Sequence, residues 1–158
     1  MRKIKLTLSI LSLSLLLLNS CGYKKLNKEN NNQFYINKIS TNGEKRIGYL
    51  VKNIIQINSS PSSKNKLNID INLKKIKNSK ERNISKKTTK YELTIIAEVK
   101  IIEENKSKVI NKIFEKSITY QVERSHSTTL NNEKTSIADL SEKVADDIVS
   151  FLYIYFED

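Results

Sequence analysis

Apolar and polar residues alternate with a period of two over three stretches of this chain, and the period lengthens to three or four residues over two others. Leu67, Ile69, Ile71 and Leu73 alternate with Asn, Asp and Lys, which predicts a strand with one dry and one wet face. The same rhythm returns at Tyr91, Leu93, Ile95, Ala97, Val99 and Ile101. A third copy runs through Ile110, Phe114, Ile118, Tyr120 and Val122, with Lys112 and Lys116 interrupting its apolar face. Polar turns at residues 78–87 and 103–108 separate the three, so an antiparallel meander is expected.

A further strand is expected near residues 34–39, aromatic and β-branched between polar flanks. It leads through Ser40-Thr41-Asn42-Gly43 into a helical stretch at residues 44–57, where Ile47, Leu50, Val51, Ile54 and Ile57 share one face. Ser40, Thr41 or Asn42 is expected to cap that helix, and the run at 58–63, with Pro61, to stop it. After a polar loop at 124–132, Ile137, Leu140, Val144, Ile148, Leu152 and Tyr155 form the stripe of a long final helix. The order is therefore β-α-β-β-β-α. This predicts an α+β, two-layer sandwich: two helices on one face of a four-stranded mixed sheet, with strands one and two as parallel neighbours, in one domain over residues 34–158. Residues 151–156 are apolar or aromatic all round the helix, more than one stripe needs. Either Tyr153 and Phe156 touch a partner, or this tail folds over the edge of the domain's own core or continues as a short strand.

The amino-terminal pattern is of another kind. Arg2, Lys3 and Lys5 precede an apolar run from Leu6, which closes on Leu18-Asn19-Ser20-Cys21-Gly22. A basic start, a short apolar segment and a small residue before the cut mark an export signal, expected over residues 1–20 and cleaved. A Leu three residues before a Cys marks that thiol for diacylglycerol, so Cys21 is the expected lipid attachment site, with residues 21–33 as a polar tether. Cys21 is the only cysteine, so no disulfide forms within the chain.

Composition adds little beyond this. The formal charge is +11, and removing residues 1–20 leaves 25 basic against 17 acidic residues, or +8. The export signal argues against nucleic acid as the partner, which leaves a preference for anionic surfaces. Catalytic patterns are missing: His126, the single histidine, stands in a polar stretch without metal-ligand spacing. Glu103-Glu104 and Asp146-Asp147 read as solvated charge in a turn and on the wet side of a helix. Three glycines make no phosphate-cradling loop, and no enzyme site, metal or cofactor is expected.

Taken together, several segments resemble the LPS-assembly lipoprotein family, LptE. They are Leu18-Asn19-Ser20-Cys21-Gly22-Tyr23, the first strand and helix, and Thr88-Thr89-Lys90-Tyr91-Glu92-Leu93. The Phe114 and Tyr120 strand, Ser125-His126-Ser127-Thr128-Thr129 and the last helix complete the set. The resemblance implies an outer-membrane lipoprotein on the periplasmic face, lipid-anchored, that plugs the LPS-transport β-barrel LptD, assists its assembly and contacts lipopolysaccharide. It implies basic contacts near one end of the sheet, for which Arg82, Lys86 and Lys87 are the candidates, while His126 and hydroxyls occupy the later loop. An auxiliary lipoprotein of an ABC-type lipid transport system is the alternative.

Overall fold

The computed structural model describes residues 33–156, so the signal segment, Cys21 and all of the tether except Gln33 lie outside the described residues. Six elements follow in order: β1 (Tyr35–Gly43), α1 (Lys45–Ile57), β2 (Lys66–Arg82), β3 (Thr88–Glu103), β4 (Lys108–Gln121) and α2 (His126–Tyr155). The sheet order is β1-β2-β3-β4, with β1 parallel to β2 and the other pairs antiparallel. Both helices cover one face, α1 against β1 and α2 against β4 and β3, and they pack on each other. This is the expected α+β sandwich.

Alternation along the strands makes the core. Leu67, Ile69 and Ile71 of β2 and Leu93, Ile95 and Ile101 of β3 are fully buried beneath Ile47, Val51 and Ile55 of α1 and Leu140, Val144, Ile148 and Leu152 of α2. Each such side chain contributes roughly 1.5–3 kcal/mol when removed from water. Intervening residues of β2 and β3, among them Asp70 and Lys100, face solvent on the other side of the sheet.

The structure corrects several expectations. Ser40 to Asn42 do not cap α1; they continue β1, because parallel pairing with Asp70, Ile71 and Asn72 satisfies their backbone. Glu44 takes the cap position without a side-chain cap bond. Gly43 makes the exit, with φ +90 and a position where a Cβ would lie 2.1 Å from the Leu73 carbonyl oxygen. Ile55, not Ile57, completes the buried stripe of α1, and Ile57 is 81% exposed. The first hairpin turn is shorter than expected, since β2 runs to Arg82 and β3 starts at Thr88. Residues 126–132 are the opening turns of α2, where the Thr129 hydroxyl accepts from the Glu123 N–H and donates to the Ser125 carbonyl. Glu103 is no turn residue either. It ends β3 on the core side at 1% exposure, 3.0 Å from the Lys106 ammonium.

The lysines that interrupt the β4 stripe have partners. Lys116 pairs with Asp147 at 2.8 Å, so Asp147 also ties the helix to the sheet edge. The ammonium of Lys112 lies 5.3 Å from the Phe151 ring centroid, and that of Lys108 lies 5.0 Å from Tyr155. An edge strand under one helix is thus fastened by cation–π contacts and an ion pair in addition to the partial burial of Ile110, Phe114 and Ile118.

Candidate functional site

Chain direction sorts the molecule into two ends. β1 and β2 start, and α1 and α2 finish, at one end; the β2–β3 hairpin projects from the other. Gly43 pairs with Leu73, so β2 and β3 run on past the end of β1. At about 3.3 Å per residue, the 17-residue β2 carries its tip about 50 Å from the end where β1 starts.

All three predicted basic residues gather at this tip. The turn is closed by the Asn83 N–H to the Lys87 carbonyl, the Lys86 N–H to the Asn83 carbonyl and the Lys87 N–H to Asn83 Oδ1, each 2.9 Å. Lys86 has φ 60, a left-handed conformation that favours glycine or asparagine. Ser107 in the second hairpin turn has the same left-handed conformation, with φ 49. Ile84 stands bare at the apex, 105% exposed.

Electrostatics along the arm leave the tip cations uncommitted. Lys80 pairs with Glu92 and Lys90 with Glu81, both at 2.7 Å. The Lys90 ammonium, with the Thr89 hydroxyl, holds the Glu81 carboxyl below its ordinary pKa. Among the described residues no carboxylate lies within ion-pair distance of Arg82, Lys86 or Lys87; Arg82 Nε donates only to Ser79 Oγ at 3.3 Å. Three exposed cations beside one apolar side chain suit a phosphate-bearing amphiphile, through charge-assisted hydrogen bonds.

A half-buried clamp at the root of the arm was not anticipated. Lys77 Nζ donates to Glu133 Oε2 at 2.6 Å, and the Tyr120 hydroxyl donates to the same oxygen at 2.9 Å. The ammonium also lies 4.3 Å from the Tyr91 ring centroid. Partial burial pushes the Glu133 pKa up, but the bonds from Lys77 and Tyr120 outweigh it and leave the carboxyl below its ordinary value. Burial likewise pulls the Lys77 pKa down, and its bonds to Glu133 and Tyr120 more than reverse this. A signal existed in the sequence: Lys77 keeps the odd-numbered parity of Leu67 to Leu73 and so remains on the helix side.

The carboxyl-terminal aromatics pack inward. Phe156 is 6% exposed; the Tyr153 ring lies 5.2 Å from Phe34, and its hydroxyl donates to the Asn58 carbonyl at 3.3 Å. That geometry matches the account in which the tail covers the domain's own core. His126 is an exposed residue of the first turn of α2.

The outer sheet face is mostly polar but carries Ile76, Ile96, Ile102, Val109 and Ile113 among its polar residues, with Ile113 69% exposed. Asn42, Asp70, Asn72, Glu98, Lys100 and Asn111, together with apolar Ile71, Val99 and Ile113, line an open groove of about 690 Å³. Asn72 donates to Glu98 at 3.1 Å, and Asn37 and Asn68 both donate to Glu104, at 2.7 and 2.8 Å.

A sheet with both helices on one face, a largely polar opposite face and a protruding hairpin defines a two-layer α+β domain shared with known bacterial structures. Rare lipoprotein B from Shewanella oneidensis matches with a TM-score of 0.58 at 13% identity, covering 75% of this chain and 96% of that one. A crystal structure from Caulobacter crescentus CB15 matches at 0.52 and 14% identity, over 75% and 90% of the two chains. Lipoprotein B from Nitrosomonas europaea matches at 0.50 and 11%, over 76% and 87%. No curated protein sequence matches. The family pattern described as "LptE: Lipopolysaccharide-assembly" matches residues 31–152, and the chain belongs to that family.

Proposed function

We propose that this protein is the lipoprotein partner of the outer-membrane β-barrel that delivers lipopolysaccharide, held to the membrane through acylated Cys21 on the periplasmic face. It plugs that barrel, assists its assembly and meets lipopolysaccharide at the hairpin tip. The observation that carries this reading is the family match over residues 31–152.

Geometry supplies the mechanism. Barrel interiors are polar, and the outer sheet face offers a largely polar wall around exposed Ile113, its amides and carboxylates already cross-linked between strands. The wall seats the plug against the lumen, and no bond is made or broken. An anchor near the start of β1 places the hairpin tip at the far end of a domain about 50 Å long, comparable to a bilayer with its headgroups. Arg82, Lys86 and Lys87 then meet sugar-linked phosphates while Ile84 lies against acyl chains.

The test is affinity capture of the tagged, lipidated protein from detergent-solubilised outer membranes, read by mass spectrometry. A large β-barrel recovered in about equal amount supports the proposal. Recovery of an inner-membrane transporter or a soluble periplasmic lipid carrier instead overturns it in favour of an auxiliary transport lipoprotein.

A further inference from the structure

The sheet has a notch above the end of β1, where one edge of β2 is left open. The Glu104 N–H donates to the Lys66 carbonyl at 3.0 Å, and the Tyr35 N–H donates to the Asn65 carbonyl at 2.8 Å. Backbone groups alternate sides along a paired strand, so even-numbered residues of β2 turn theirs to β3 and odd-numbered residues turn theirs to β1. β1 stops at Gly43, opposite Leu73, and Gly43 with φ +90 leads the chain away into α1. Beyond that point, among the described residues, the outward N–H and C=O groups of Lys75, Lys77 and Ser79 have no protein partner. The register with β3 is unbroken as far as Ser79, so six residues, about 20 Å, present a straight edge.

Open edges are ordinarily guarded by lysine side chains that hinder pairing with another strand. Here the two lysines that carry the vacant groups are drawn aside. Lys75 reaches Glu44 at 3.8 Å and Lys77 reaches Glu133 at 2.6 Å, both on the helix side of the sheet. The clamp at the root of the arm thus holds the ammonium of Lys77 clear of its own backbone edge.

We propose that this notch receives an extended, acidic segment of the barrel protein as an added strand in line with β1, a proposal that rests on the plug reading. Charge sets the chemistry of the segment. Residues 74–82 carry five basic side chains against one acidic, and Lys74, on the outer face, has no carboxylate at ion-pair distance among the described residues. Ile76, partly buried on the same face, takes an apolar cross-strand neighbour two places along from the acidic one. The wall strands of a closed barrel are paired all round, so the segment is a loop folded into the lumen. Main-chain bonds supply the affinity and the alternate side chains the specificity. Such a strand fixes the height and rotation of the plug, which a largely polar face against a polar wall does not.

Residue-resolved amide hydrogen exchange tests this on the full lipidated protein, alone in detergent and in the complex captured from outer membranes. The amides of Ile76 and Asn78, bonded to β3, exchange slowly in both states and serve as the reference. The Val122 N–H donates to the Thr89 carbonyl, so odd-numbered residues of β4 face its open edge, and Ile113 and Glu115 report enclosure alone. Expected in the complex is a slowing of about ten-fold at Lys75 and Lys77, well above that at Ile113 and Glu115. Lys75→Pro, which removes an outward N–H and leaves the ladder with β3 whole, abolishes the slowing at Lys77, while Lys75→Ala retains it. If the proline variant does not fold, the comparison in the parent protein decides. Unchanged exchange at 75 and 77 in a complex that contains the barrel overturns the added strand and leaves the plug standing, as does equal slowing at 77 and 113. Slowing in the isolated protein that grows with its concentration assigns the notch to a second copy and also ends the proposal. A complex without a barrel overturns the plug reading and the added strand with it.

Discussion

The lower and upper halves of strand β2 meet the helices by different physics although β2 pairs with β3 in one continuous ladder, in which Ile95 and Leu93 stay fully buried opposite Lys75 and Lys77. In the lower half, Leu67, Ile69 and Ile71 face two helices with 1% exposure or less, opposite Ile101 and Val99 at 2% or less. In the upper half, beyond the end of β1 at Gly43, Lys75 and Lys77 take over the same parity and reach Glu44 and Glu133. Apolar burial is non-directional and hardly responds to pH or salt, whereas the clamp depends on geometry, protonation and ionic strength. The body is built for stability, and the arm keeps its polar surface and its cations available to a ligand.

The comparison can be broken most severely in the body. Leu140→Ala, at a position with no exposure, is expected to lower the unfolding free energy by about 2–5 kcal/mol, measured by denaturant titration. Gly43→Ala, at the junction of the halves, forces a Cβ onto the Leu73 carbonyl and is expected to cost about 1–3 kcal/mol in the same assay.

In the arm the expected effects are smaller and depend on conditions. Glu133→Gln weakens the clamp by about 0.5–1.5 kcal/mol near neutral pH, in keeping with a partly exposed charge-assisted pair. Because the folded-state pKa of Glu133 lies below its ordinary value, its contribution is complete above about pH 4.3 and disappears as pH falls through the folded-state value. Lys77 has the opposite sign: its raised pKa makes its contribution complete below about pH 10.4, lost as pH rises further. Stability of Glu133→Gln against pH is therefore flatter than that of the parent on the acid side. The smallest effect on folding falls at the tip: Lys86→Gly leaves Tm unchanged or higher, since glycine accepts φ 60, yet weakens binding of lipopolysaccharide phosphates, by up to about ten-fold if one charge-assisted bond is lost.

The same division explains what could be read in the sequence. Burial in the body is periodic, so Leu67 to Leu73 and Leu93 to Ile101 disclosed their strands, and the stripe from Ile137 to Leu152 its helix. Misreadings arose where composition and pairing disagree. Ser40-Thr41-Asn42-Gly43 has the residues of a turn, but a parallel neighbour draws it into β1. Residues 126–132 are polar enough for a loop and are nevertheless helical. The basic tip was visible because Arg82, Lys86 and Lys87 are close in sequence, but its freedom from carboxylates was not, since it depends on Lys80 and Lys90 occupying Glu92 and Glu81. The clamp joins Lys77 and Glu133 across 56 residues, so the parity of Lys77 told its side of the sheet but not its partner.

Site-specific photocrosslinking in living cells tests the central claim most directly, with one reactive residue replacing Asn111 in the outer groove and another replacing Ile84 at the tip. The account predicts crosslinks from position 111 to a large outer-membrane β-barrel and from position 84 to lipopolysaccharide. Crosslinks from position 111 to a soluble lipid carrier or an inner-membrane transporter, with none to a barrel, would contradict it.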